Sequence, residues 1–203
     1  MIYMIQIQDN LSFFKSKLFE ALAQAFYYPY KLKDIESLRE NLRSLKDFAD
    51  TFCDTAFKEK FNKFLQVVEE INNIDKLTEV EIQFVELDKP YNVNLSLYES
   101  IQRSGYYDLI IVSDLRNIYN VVGIDSRKEP DHISTELGFL SILFLLKASG
   151  NEKSEEVIQF FWETHIKKWV PSLLDNLINS NYSYFKVLAE LTKEAFRCLG
   201  FEN

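Results

Sequence analysis

Glu129, Pro130, Asp131, His132 and Glu136 bring acids, a helix-starting proline and one of only two histidines in the chain into one short stretch. Pro130 suits a first helical position, because its missing N–H has no partner there and its φ is already helical. A helix is therefore expected to open at Pro130, with Asp131 in the first turn, where the N-terminal dipole favours a carboxylate. A protonated His132 would be opposed by that same dipole. Glu136, four residues on and on the same face, is expected to accept a hydrogen bond from the ring. Two chemistries fit these residue types. One is a capped helix start with a tethered histidine. The other is a metal-assisted hydrolase in which Asp131, His132, Glu136 and the distant His165 converge, since imidazoles and carboxylates are competent ligands. No His-Glu-x-x-His spacing and no phosphate-cradling glycine loop supports the second.

The elements that must position these residues are helical. Leu11, Phe14, Leu18, Leu22 and Phe26 recur at three- and four-residue steps up to Pro29, and a second helix is expected over residues 35–45. Phe52, Ala56, Phe57, Phe61, Phe64, Leu65 and Val68 describe one face of a third, an aromatic stripe read as core packing. Between residues 72 and 104 the pattern weakens, and a long loop or hinge is expected there. It is either a binding element carrying Tyr98, Glu99 and Ser100 or a connector that permits domain swapping. A helix through Leu115, Ile118 and Val122 ends at Gly123. The one opened by Pro130 carries Ile133, Leu137, Leu140 and Phe144 on one face, with Phe139, Ile142, Leu143 and Leu146 nearly completing the circle, which predicts a long, central, apolar helix. Gly150 stands where a left-handed terminator belongs. The next helix aligns Ile158, Trp162, His165, Trp169 and Leu173, so that His165 reads as a core histidine with a hydrogen-bond partner, and Pro171 should kink it. A final helix spans residues 182–199. The fold class is all-α, a helical bundle forming one domain over residues 1–203.

Composition narrows the function. Seventeen phenylalanines and eleven tyrosines supply a core, while five glycines and four prolines leave little material for an all-β fold. A net charge of −8 argues against nucleic acid or an anionic membrane as partner and favours a cationic one. Cys53 and Cys198 lack metal-ligand spacing and are read as thiols in a reducing compartment, without a disulfide framework. Residues 1–10 hold no basic region and no secretory apolar run, which argues against export, and the apolar window at 137–146 is too short to span a bilayer.

The stretch from Glu129 to Leu137, with Tyr119 and Gly123 upstream, resembles the signature of the TorD/DmsD/NarJ family of molybdoenzyme maturation chaperones. Phe26-Tyr27-Tyr28-Pro29, the segment 79–84, Leu97-Tyr98-Glu99-Ser100 and the run from Phe161 through His165 to Trp169 are similar to its other recurrent segments, in the same order. The chain departs from the family at Leu95-Ser96-Leu97, where prolines are common, and at Val80, where an aromatic is common. The resemblance implies a cytoplasmic chaperone, not an enzyme and without a cofactor or metal of its own, acting as a monomer or a domain-swapped dimer. Its partners would be the N-terminal, often twin-arginine, leader and the apo form of a molybdenum oxidoreductase catalytic subunit, bound during cofactor insertion before export. Leader binding is expected to involve Asp131, His132, Glu129, Pro130, Glu136, Tyr98, Glu99, Ser100 and Phe84, the acids facing arginines and the aromatics forming an apolar wall. His132→Ala or Asp131→Ala is expected to weaken binding while leaving the fold intact. A helical adaptor that grips an unrelated amphipathic helix through an apolar groove alone is the third reading.

Overall fold

Asp9 begins the first helix, its carboxylate accepting the backbone N–H of Leu11 at 3.0 Å and of Ser12 at 3.1 Å. A computed structural model describes residues 9–87, 89, 92–125 and 129–201, so the expectation about export falls almost wholly outside the described residues. The helices are α1 (Asn10–Ala25), α2 (Leu32–Phe52), α3 (Thr55–Glu70), α4 (Ile74–Leu87), α5 (Glu99–Ser104), α6 (Leu109–Val121), α7 (Ile133–Ala148), α8 (Lys153–Phe161), α9 (Lys167–Ile178) and α10 (Ser183–Cys198). Among the described residues the only β pairing is an isolated antiparallel bridge between Tyr98 and His132. The fold is all-α, a single helical domain.

The core is built on an antiparallel pair, α1 against α7. Asp9 N–H reaches Ala148 C=O at 3.4 Å, Ser16 Oγ lies 3.4 Å from Ser141 Oγ, and a Cβ added at Gly138 would meet Ala23 Cβ at 3.9 Å. Small residues along both helices let the backbones approach, and Phe19 stacks on Phe144 at 5.6 Å to fill the space beside them. The α10 helix closes the other side: Tyr184 donates its O–H to Ala25 C=O at 2.9 Å, and Phe185 meets Phe84 of α4 at 4.6 Å.

Three expectations are corrected and a fourth is not confirmed. The long loop expected over 72–104 is largely helical, since α4, a 3₁₀ turn at Val93–Leu95 and α5 all fall within it. The spacing of Leu77, Val80, Phe84 and Leu87, all buried, is an amphipathic stripe partly hidden by the acids between them. The length expected of α7 is not confirmed, its 16 residues being fewer than the 21 of α2, and Ile142 is 39% exposed. The expected third helix does not run through Phe52, because α2 extends to that residue and Asp54 caps a new start, accepting Phe57 N–H at 3.1 Å. Cys53 and Cys198 form a disulfide with Cα atoms 5.6 Å apart, the fold having brought the end of α2 against the last turn of α10. Disulfides are rare in reducing compartments, so the pairing counts against reading both cysteines as thiols there. Near Pro171, expected to kink its helix, α8 gives way to a π turn at Trp162–Ile166 and then α9, with Pro171 inside α9 one turn beyond the wider winding.

Candidate functional site

The residues that open α7 are held by a remote segment. Glu99 donates its N–H to Asp131 C=O at 2.8 Å and Ile133 donates its N–H to Leu97 C=O at 2.8 Å, tying 97–99 to 131–133. Tyr119 of α6 donates its O–H to Pro130 C=O at 2.7 Å, fixing the same turn from behind. Pro130 is therefore not the first helical residue. It sits in a turn closed by His132 N–H to Glu129 C=O at 3.2 Å, with Glu129 at φ 42°, a left-handed conformation that a non-glycine residue adopts at a cost of about 1–3 kcal/mol. His132 is the cap of α7, its Nδ1 accepting the Ser134 N–H at 3.2 Å. That bond needs a lone pair on Nδ1, so the ring is neutral. Burial holds its pKa down at about 4, only partly offset by Glu129.

This cross-bracing splits the expected site residues between two environments. Outward, Tyr98, Glu129, His132 and Phe84 line one cavity of about 330 Å³ together with Tyr27, Tyr28, Tyr30, Glu81 and Leu97. Tyr98 donates its O–H to Glu129 Oε1 at 2.9 Å, and its ring meets the His132 ring edge-on at 4.9 Å. Tyr28 packs against Phe84 at 5.5 Å and Tyr30 at 4.9 Å. Burial, and after it the Glu81 carboxylate, raises the Tyr28 pKa, while burial, Tyr30 and Glu129 raise that of Tyr27. The walls are consequently neutral aromatic faces, and among the described residues the charged lining residues are two carboxylates, Glu81 and Glu129.

Inward lie Glu99, Ser100, Asp131 and Glu136, each fully buried. Ser100 donates its Oγ–H to Asp131 Oδ2 at 2.5 Å and its N–H to the same oxygen at 3.4 Å, so Asp131 caps α5 rather than the helix that follows it in sequence. Glu99 accepts from Arg103 one turn along α5, and its Oε2 lies 2.9 Å from His165 Nδ1. His165 is thus the partnered core histidine its helical spacing predicts. Glu136 does not receive the His132 ring; its Oε2 accepts the Trp169 indole N–H at 3.3 Å. Burial, and then the neighbouring Glu99 carboxylate, pushes the Glu136 carboxyl well above its ordinary range, so it is held as the neutral acid. These three carboxyl groups are out of reach of a partner on the surface.

Asp131, His132, Glu136 and His165 do not converge on one point: each turns to a different partner, Ser100, Ser134, Trp169 and Glu99 respectively. Among the described residues no three His, Cys, Asp or Glu side chains are placed to hold a metal ion. The hydrolase constellation is therefore not assembled. The sequence reading also missed Tyr27, Tyr28, Tyr30 and Glu81 as cavity residues. Their signal is a tyrosine run just past the end of α1 and a stripe of acids on α4, in the stretch where a loop is expected from the sequence.

What the arrangement can do chemically is hold a cation against aromatic faces, with carboxylates to orient it. No helix among the described residues is long and apolar enough to cross a membrane. No curated protein matches the chain. A family model described as nitrate reductase delta subunit does, over residues 36–175, more than half of the 203 and including α4 to α8 with both paired segments. The chain belongs to the nitrate reductase delta subunit family, that of the NarJ/TorD-type molybdoenzyme maturation chaperones.

Proposed function

We propose that the cavity bounded by Tyr28, Phe84, Tyr98 and Glu129 receives the N-terminal leader of a molybdenum oxidoreductase catalytic subunit, and that the chain holds this apo-subunit during cofactor insertion. The supporting observation is convergence: Phe84 from α4, Tyr98 from the bridge segment, and Glu129 with His132 from the turn before α7 line one cavity. A leader joins a cationic n-region to an apolar h-region. Aromatic walls with two carboxylates match the first part, and guanidinium, which can pair bidentately and stack, matches them better than ammonium. Acting before export puts the chain in the cytoplasm, where the Cys53–Cys198 pair would have to withstand a reducing poise.

Magnitudes divide the labour. Burying about 400 Å² of apolar leader surface yields on the order of 10 kcal/mol gross, and ordering the segment returns roughly 2–5 kcal/mol of it. Micromolar binding, about −8 kcal/mol, is then within reach. Rim ion pairs add about 0–1 kcal/mol each, so Glu81 and Glu129 set selectivity while the aromatic walls hold the peptide.

Isothermal titration of the protein with the leader of a molybdoenzyme subunit encoded beside it, and with an Arg-to-Lys version, tests the reading. One-to-one saturation weakened by the lysine peptide is expected. Binding of the mature apo-subunit without its leader, and silence toward the leader itself, would move the function to another surface. An unrelated amphipathic helix that competes equally would favour the adaptor reading.

A further inference from the structure

A second cavity, of about 360 Å³, lies on the other side of Tyr98. It shares that tyrosine with the first and is lined by Leu87, Val93, Ile101, Tyr106 and Tyr107, the last two 64% and 52% exposed. The two chambers differ in charge. Among the described residues, Glu81 and Glu129 are the charged lining residues of the first, whereas Lys89, ion-paired with Glu86, is the charged lining residue of the second. Helix α4 runs past both, presenting Glu81 and Phe84 to one and Leu87 to the other.

We infer that the chambers read one peptide in one direction, a basic side chain seated between Glu81 and Glu129 and an apolar side chain on its C-terminal side seated beyond Tyr98 against Leu87, Ile101 and Tyr107. This deepens the leader-binding reading and rests on it. The reversed peptide would place its apolar residue between two carboxylates, stripping them of water without pairing them, and would take its cation away from both, so the acids select the direction while Tyr98 separates the two seats. The geometry also sets a spacing. Glu81 and Leu87 are six positions apart on α4, about 9 Å at 1.5 Å per residue. Each chamber has room for one or two side chains but not for a helix, which is about 10–12 Å across. The bound segment is therefore extended, and at about 3.3 Å per residue its basic and apolar anchors stand roughly three residues apart.

The test uses the full chain and synthetic leader peptides carrying a benzophenone photocrosslinker at either end of the anchor pair, with crosslinked residues located by mass spectrometry. A crosslinker beside the arginine should attach within residues 27–30 or 81–84, and one beside the apolar anchor within 101–107. Inserting two residues between the anchors should weaken binding by roughly tenfold, the effect of leaving one leucine-sized anchor unburied. Saturable binding with the attachments exchanged, or with affinity indifferent to the insertion, overturns the direction and spacing while leaving leader recognition standing. Failure of every peptide to bind overturns leader recognition itself, and the inference with it.

Discussion

The outward and inward sides of the same two paired segments have opposite fates. Along 97–100 and 129–136, Tyr98, Glu129 and His132 turn to a cavity of about 330 Å³, while Glu99, Ser100, Asp131 and Glu136 turn to the core and pair with one another, Arg103, His165 and Trp169. The two sides are adjacent in sequence, yet only one meets solvent. A dense run of acids therefore does not amount to an acidic surface: the buried members hold the backbone that positions the exposed ones. Asp131 illustrates this most directly, since its carboxylate fixes the start of α5 and with it Tyr98, without reaching the cavity.

The largest effect that can break this comparison is Glu99→Ala. It strands His165 and Arg103 without their carboxylate, and truncating one partner of a buried pair costs about 3 kcal/mol or more. Urea unfolding should show that loss; a midpoint equal to wild type would mean the inward cluster carries no stability. Next is pH. His132 has a folded pKa of about 4, below its unfolded value near 6.5, so its contribution is complete above pH 6.5 and drains away as pH falls toward 4, by at most on the order of 3 kcal/mol. Glu136 has the opposite sign. Its raised folded pKa means stability is greatest below the unfolded value near 4.5 and falls as pH rises through the range above it. Stability profiles of His132→Asn and Glu136→Gln should flatten on opposite sides of the wild-type maximum, and flattening on the same side would contradict the neutral assignments.

A smaller loss is expected for Asp131→Asn, about 1–3 kcal/mol, because the Ser100 hydroxyl and N–H lose a charged acceptor. Leader affinity should fall with it, and stay low on adding back stability elsewhere, if Asp131 acts by positioning Tyr98. This replaces the simpler expectation that its removal spares the fold. The smallest change in stability, within about 0.5 kcal/mol, belongs to Glu81→Gln with Glu129→Gln, whose cost should appear in leader binding, a few-fold to tenfold by titration. A double variant that melts early but binds normally would reverse the roles assigned to the two sides.

Helix periodicity made most of the architecture legible. The stripes of α1, α3 and α10 follow from apolar steps of three and four, and the burial of His165 from its place among Ile158, Trp162 and Trp169. The start of α7 was not legible, because Pro130 and Asp131 carry local signals for a helix N-terminus that lose to backbone pairing with residues about thirty positions away. Nor was the disulfide, whose partners are separated by 145 positions and meet only because α2 and α10 do. Of the cavity lining, Tyr98, Glu129, His132 and Phe84 are residues that the sequence singles out, whereas which neighbours face inward depends on that same pairing register. Charge and residue type carried no information about it.

The pairing of α1 with α7 has a consequence in time. Phe14, Leu18, Phe19 and Leu22 are buried in a core that α7 helps to build, and α7 ends at Ala148, more than a hundred residues after α1 is complete. At about 5–20 residues per second, translation leaves that first helix without its cover for on the order of 10 s. During that interval the nascent chain displays an apolar stripe of its own, so the yield of folded molecules depends on how quickly the ribosome reaches α7 as well as on how stable the finished domain is.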